Sequence, residues 1–187
     1  QKSVFGDRAQ QFVSRLKWNL CVTPTGLEVD EYDDSESQYL LVHRNSGHLG
    51  SCRVRPITAS TMLVDHFLPL FPQAQSFLEM QRGRVFELTR FCRAPDISVG
   101  ESRQMLAKLA CLLDSFRDAQ RLTGFVAVVF PQVCRFLDSI GVRYLVISKS
   151  QLDGREVDLI CITHAKRVGA KADPAPMLDV ATPRLAA

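Results

Sequence analysis

Four groups of residues have the types and spacing to do chemistry. Glu87, Thr89 and Arg90 lie in the run Glu87-Leu88-Thr89-Arg90-Phe91, in the middle of an otherwise apolar segment. Ionisable side chains in such a place are costly unless they are paired or the segment is an edge strand. In a regular strand Glu87 and Arg90 point to opposite faces, and a bulge or splay would bring both into one cleft. Arg53 and Arg55, in Gly50-Ser51-Cys52-Arg53-Val54-Arg55-Pro56, alternate onto one face. An arginine on the core side needs a carboxylate partner. The stretch from Gly26 to Asp34 offers Glu28, Asp30 and Asp33, whose density means repulsion unless cations balance it. It is either a solvated acidic loop or a surface turned to a cationic substrate. Arg8 and Phe12, four apart, share a helix face, with Trp18 following. Alone, that pattern also fits an amphipathic helix with Phe12 inside and Arg8 in water.

Composition narrows the chemistry. The 187 residues suit one domain, 1–187, and 46% hydrophobic with 23% charged residues is an ordinary globular balance. Six cysteines without a C-x-x-C pair read as reduced, packed thiols, and four histidines at no ligand spacing argue against a metal site. A net charge of +3, with no basic run interleaved with aromatics, gives no reason to expect nucleic acid. Arg82, Arg84, Arg90, Arg93 and Arg103 gather locally, as a solvated face or as a dock for an acidic partner. No apolar run approaches the ~20 residues of a membrane span, and no secretory leader is visible, so a cytoplasmic protein is expected. The start at Gln1 without a Met suggests a chain that begins inside a longer natural one.

These residues must be positioned by recognisable elements. A helical stripe covers 7–17, and an acidic loop covers 18–36. Strands are predicted at 38–44 and 48–55 around Asn45-Ser46-Gly47, then a short helix at 60–70 and a strand at 84–92. The clearest helix is 99–122, capped by Ser98 with Glu101 and ended by Gly124. A buried strand at 125–130, a helix at 131–140 stopped by Gly141, and strands at 143–148 and 155–164 around Asp153-Gly154 follow. Residues 165–187 read as a peripheral tail. A leading hairpin followed by strand–helix–strand alternation implies an α/β fold, a mixed sheet with helices on both faces. The order matches acyltransferases of the GNAT type.

Taken in order, R-x-x-x-F-(x5)-W, D-x-x-D, G-S-x-R and E-L-T-R-F resemble the LuxI-type acyl-homoserine-lactone synthases, from Arg8 to Arg93. The resemblance implies a GNAT-like three-layer α/β/α sandwich with a mixed, mostly antiparallel central sheet. It implies an acyltransferase that acylates the amine of S-adenosylmethionine and closes the lactone with loss of 5′-methylthioadenosine, producing a quorum-sensing autoinducer. It aligns Arg8, Phe12, Trp18, Asp30, Asp33, Arg53, Glu87 and Arg90 with the family's functional positions. An N-terminal strand, usual ahead of the Arg8 helix, has only seven residues in which to fit.

On that footing the catalytic group is Glu87 as base, Asp30 and Asp33 as electrostatic holders of the cationic substrate and of the arginines beside it, and Arg90, which with Arg53 would tie the acidic loop to the sheet through charge-assisted hydrogen bonds. Arg8, Phe12, Trp18 and Arg53 are the S-adenosylmethionine residues. Backbone N–H groups at Phe91 and Cys92 would serve the oxyanion, and Phe91, Val128 and Phe130 would line an acyl tunnel between two strands. S-Adenosylmethionine is a substrate, and neither cofactor nor metal is expected. The single glycine of Arg93–Gly100 favours acyl carrier protein over acyl-CoA as donor. The rival readings are a GNAT-type N-acyltransferase using acyl-CoA on another amine, and a binding module without turnover.

Overall fold

The computed structural model describes residues 2–44, 47–165 and 180–181. Alternation of apolar and polar residues gives β1 (Gln38–Arg44) and β2 (Gly47–Pro56), an antiparallel pair. Residues 45–46 lie outside the described residues. β3 (Val85–Arg93) pairs antiparallel with β2, and β4 (Gly124–Val129) lies parallel to β3. β5 (Val142–Leu152) and β6 (Arg155–Ala165) form a long hairpin. Its turn is Asp153-Gly154, both with positive φ (50° and 73°), as a two-residue hairpin turn requires. A short β7 (Val180–Ala181) pairs with Tyr39 and Leu40, so this part of the expected tail joins the sheet. Residues 166–179 and 182–187 lie outside the described residues. The sheet order is β5-β6-β4-β3-β2-β1-β7.

Helices cover both faces, as the element order predicts. One face carries α3 (Val99–Ala119), whose Met105, Leu109, Leu112 and Phe116 stripe packs on Leu40, Val42, Cys52, Val54 and Phe125. Ser98 and Glu101 form the expected capping box. Gly124 does not end this helix; α3 stops at Ala119 and Arg121 takes the left-handed conformation (φ 54°). Gly124 instead opens β4, where a Cβ would lie 2.5 Å from the Ile162 carbonyl oxygen of β6. A fourth helix, α4 (Pro131–Ser139), places Cys134 in the same core and is followed by Gly141 at φ 73°.

The opposite face holds α1 (Lys2–Arg8), which begins earlier than its polar sequence suggests and continues as a π-helical turn, Ala9–Arg15. The predicted 60–70 helix is a π turn (Leu63–Phe67) and two 3₁₀ turns (Leu68–Leu70, Pro72–Ala74), leading into α2 (Gln75–Met80). Pro69 and Pro72 lack N–H groups, so a regular helix cannot run through. This segment buries Leu63, Phe71, Ala74 and Leu78 against Val85, Val126, Val157 and Leu159, a second apolar core.

All six cysteines are free thiols; Cys21 is exposed, and Cys52, Cys92, Cys134 and Cys161 are buried as expected. No helix among the described residues is long and apolar enough to cross a membrane.

Candidate active site

β3 is a central strand, which removes the edge-strand reading of Glu87 and Arg90. Two irregularities in it organise the site. Pairing between β3 and β4 stops at Glu87–Val126, although β3 runs on to Arg93 and β4 to Val129, so the strands part beyond that point. The register between β2 and β3 also shifts between Ser51 and Arg53, where Arg90 takes φ 51°. That bulge supplies the rotation the sequence requires. Glu87 and Arg90, three apart, come to the same face of the sheet, the one opposite α3.

Onto this face folds the acidic segment, with Glu28, Asp30, Asp33 and Asp34 held by arginines while Glu31 and Glu36 stay exposed. Arg8 is wholly buried; its Nη1 and Nη2 donate to Asp33 at 2.9 and 2.8 Å and its Nε to Glu28 at 2.5 Å. Arg53, also wholly buried, donates to Asp30 (2.5 Å), Asp33 (2.8 Å) and the Thr89 hydroxyl (3.1 Å). Arg90 reaches Glu28 at 3.1 Å and Asp30 at 2.7 Å. Arg55 grips Asp34 and the Ser60 carbonyl. Burial works against these charges, and the charge-assisted hydrogen bonds outweigh it. Arg8 and Arg53 are held more firmly protonated than free arginine, and Asp33 sits well below the usual carboxylate range. The acidic segment is therefore neither a solvated loop nor a free anionic surface. It is a neutralised network.

That network contains the expected tie of Arg53 and Arg90 to the acidic segment. Arg8, Arg53 and Asp33 have at most 1% of their surface exposed. Asp30, with its side chain 15% exposed, is the more accessible carboxylate. Arg90 is spoken for by carboxylates and does not join a basic surface with the exposed Arg82, Arg84 and Arg103. Phe12 is buried and stacks on Trp18, with ring centroids 5.0 Å apart and planes 7° apart. The Arg90 guanidinium lies 5.8 Å from the Phe12 centroid. Trp18 is 39% exposed, so one aromatic face is fixed by Phe12 while the indole remains accessible.

Glu87 stands at the border between this network and the second apolar core. It is 3% exposed, and its Oε1 accepts the Leu63 N–H at 2.6 Å. The start of a helical segment leaves N–H groups without intrahelical partners, and here they turn to Glu87. Burial nonetheless pushes its carboxyl up to about 7, against the lowering effect of those N–H groups, Arg53 and Arg55. Such a group exchanges a proton near neutrality.

Val128 and Phe130 pack together with Leu63, Phe71 and Val126 beside Glu87. Phe91 is 40% exposed and belongs to neither core. Cys92 is fully buried, pairs with Ser51, and has its thiol pushed up to about 12 by burial, which makes it inert. Glu28, named in the sequence with Asp30 and Asp33, bridges Arg8 and Arg90. Two partners escaped the sequence reading: Tyr39 donates its hydroxyl to Asp33, and the Met62 sulfur lies 3.6 and 3.4 Å from Arg53 and Arg90. Tyr39 and Met62 carry no local signal. Among the described residues no cluster of His, Cys, Asp or Glu is arranged to hold a metal.

The profile of the autoinducer synthase family matches residues 1–170. An acyl-homoserine-lactone synthase of Vibrio anguillarum is 30% identical over 138 residues, covering 72% of this chain and 69% of that protein. One from Rhizobium etli is 34% identical over 128 residues, covering 67% of this chain and 58% of that protein. The solved structure of the CoA-dependent acyl-homoserine lactone synthase MesI superposes with a TM-score of 0.71 at 18% identity, over 87% of this chain and 80% of that one, a likeness of fold. With the ordered motifs gathered into one buried site, the chain belongs to the autoinducer synthase family.

Proposed function

We propose that this autoinducer synthase joins an acyl group to the amine of S-adenosylmethionine and then closes the homoserine lactone, with Glu87 managing the proton. The observation that carries the reading is the position of Glu87, a carboxyl poised at about 7 between a charged network and an apolar core. An α-amine has a pKa of about 8, so at neutral pH most of it must lose a proton before it can attack. Glu87 takes that proton, directly or through a water. Glu87 passes that first proton to solvent. The amine nitrogen then bonds to the thioester carbonyl and gives its second proton to Glu87. The C–S bond breaks, and the thiolate leaves with the proton returned from Glu87. The substrate carboxylate then displaces the sulfonium from its own γ-carbon, releasing 5′-methylthioadenosine and the lactone. Sulfonium is a good leaving group, and the second step asks only for orientation.

The remaining residues divide into contact and frame. Trp18, backed by Phe12, offers an aromatic face to the sulfonium, an attraction of about 0.5–2 kcal/mol. Asp30 and Arg90 border the bound amino acid, and Arg8, Arg53 and Asp33 hold them there. The main chain of the bulge at Arg90–Phe91 is the source of oxyanion donors. The acyl chain runs toward Val128 and Phe130. Val128 has no hydroxyl to donate to a 3-oxo group, which favours an acyl chain unsubstituted at its third carbon.

Acyl carrier protein is the donor that best fits the surface. A coenzyme A pyrophosphate needs free N–H groups at a helix start. At α3 the Glu101 N–H donates to the Ser98 hydroxyl at 3.2 Å, and the Glu101 carboxylate itself occupies that end. Exposed Arg15, Lys17 and Arg103 suit an acidic carrier instead. Mass spectrometry of lipids from cells expressing the chain tests the function: acyl-homoserine lactones are expected, and their absence alongside other N-acylated amines would overturn it.

A further inference from the structure

Where β4 leaves β3, the freed edge of β3 is not bare. The Gln11 side chain lies against it: its Nε2 donates to the Phe91 carbonyl at 3.0 Å, and its Oε1 accepts the Arg93 N–H at 3.0 Å. A carbonyl can only accept and an N–H only donate, so the orientation of the amide is fixed. The Ala94 N–H donates to Leu49 of β2 at 3.0 Å, so by alternation the Arg93 N–H points the other way, into the split. One primary amide thus makes both hydrogen bonds that a neighbouring strand would make. Gln11 belongs to the π-helical turn, where its own carbonyl is fixed by the Leu16 N–H at 3.0 Å. Its side chain is half-buried and borders a surface hollow with Gln10, Ser14, Arg15, Arg93 and Pro95. The side chain takes no part in the hydrogen bond that holds the turn.

An extended ligand with successive secondary amides is the natural occupant of such an edge, because it can add to the strand as a peptide does. The thioester arm shared by acyl carrier protein and coenzyme A has that chemistry. We propose that Gln11 is a placeholder for this arm, satisfying Phe91 and Arg93 until the acyl donor displaces it, and so sets donor affinity. The inference rests on the acyl-transfer reading above, and its sign is distinctive. A residue that helps bind the donor weakens binding when removed, whereas a placeholder strengthens it.

The test is calorimetric titration of the wild type, Gln11→Ala and Gln11→Met with an unreactive S-alkyl pantetheine thioether. Met keeps the length and helix propensity of Gln without its hydrogen bonds. Both variants should bind the thioether about threefold to tenfold more tightly, the scale of one or two neutral hydrogen bonds that need no longer be broken. Hydrogen exchange at the Arg93 amide should be faster in both free variants and slow again on binding. Unchanged or weaker binding in both variants, loss of fold in both, or no binding by any of the three proteins overturns the proposal. Because nothing turns over, failure here is separable from failure of the functional reading, which release of 5′-methylthioadenosine by the wild type decides.

Discussion

Replacing Glu87 with Gln should make the protein more stable at alkaline pH while removing its activity. The folded carboxyl is raised from an ordinary 4.5 to about 7, mainly by burial. Below pH 4.5 folded and unfolded chains are both protonated there, and the site is neutral toward stability. Between 4.5 and 7 the unfolded chain has lost the proton and the folded one still holds it, so stability falls as pH rises. Above 7 the loss levels off at about 3 kcal/mol. Glutamine keeps a carbonyl for the Leu63 N–H but brings an amide that needs its own partner, so the gain should be smaller, about 1–3 kcal/mol. For a chain of this size that is a rise in Tm of about 3–10 °C at pH 8, falling to zero or to a net loss at pH 4.5, where the wild-type carboxyl is protonated and the extra amide cost remains. Urea or thermal unfolding of both proteins at pH 5 and pH 8 reads it directly. A variant no more stable than wild type at pH 8, or a difference that ignores pH, would refute the reasoning. It would mean that Glu87 is ionised and well paired in the fold.

Other consequences follow from the same geometry. Turnover with saturating substrates should rise about tenfold between pH 6 and pH 8 as Glu87 loses its proton; a flat kcat profile counts against it as base. Arg8→Ala leaves Glu28 with Arg90 and Asp33 with Arg53, one buried cation short for the two, and urea unfolding should show a loss of about 3–5 kcal/mol. Arg8→Lys keeps the charge without the fork and should lie between the two. Trp18→Ala should raise KM for S-adenosylmethionine several-fold with a change in Tm of only a few degrees, the stacked pair contributing about 0.5–1.5 kcal/mol. Gly124→Ala drives a Cβ into the Ile162 carbonyl of β6, a backbone atom that cannot turn aside, and unfolding should report a loss of about 1–3 kcal/mol.

What the sequence disclosed depended on how local the determining physics was. Alternation and three/four periodicity reveal β1 to β6 and α3, and Ser98 with Glu101 reveals the start of α3, because each signal lies within a few residues. The end of α3 was misplaced because Arg121 adopts the left-handed turn usually left to glycine, while Gly124 is needed for the close approach of β6. The broken helices at 63–74 depend on how Leu63 and Phe71 fit under the sheet, which periodicity does not encode. At the site, charged residues in apolar strands announce that partners exist. They do not say whether those partners are substrate or protein. Arg53 and Arg90 tie the acidic segment to the sheet as expected, and Arg8 and Asp33 are buried in the same network. The bulge at Arg90 was foreseeable as a need, since Glu87 and Arg90 could share a cleft only through one. Gln11 was invisible, because a polar residue on a helix says nothing until the strand edge it covers is known.

The coupling of the two bond changes tests the account most directly. Purified protein given S-adenosylmethionine and an acyl-carrier thioester should release free thiol, 5′-methylthioadenosine and N-acyl-homoserine lactone in equal amounts, all three abolished together in Glu87→Gln. Thiol release without 5′-methylthioadenosine, or full activity in that variant, would contradict it.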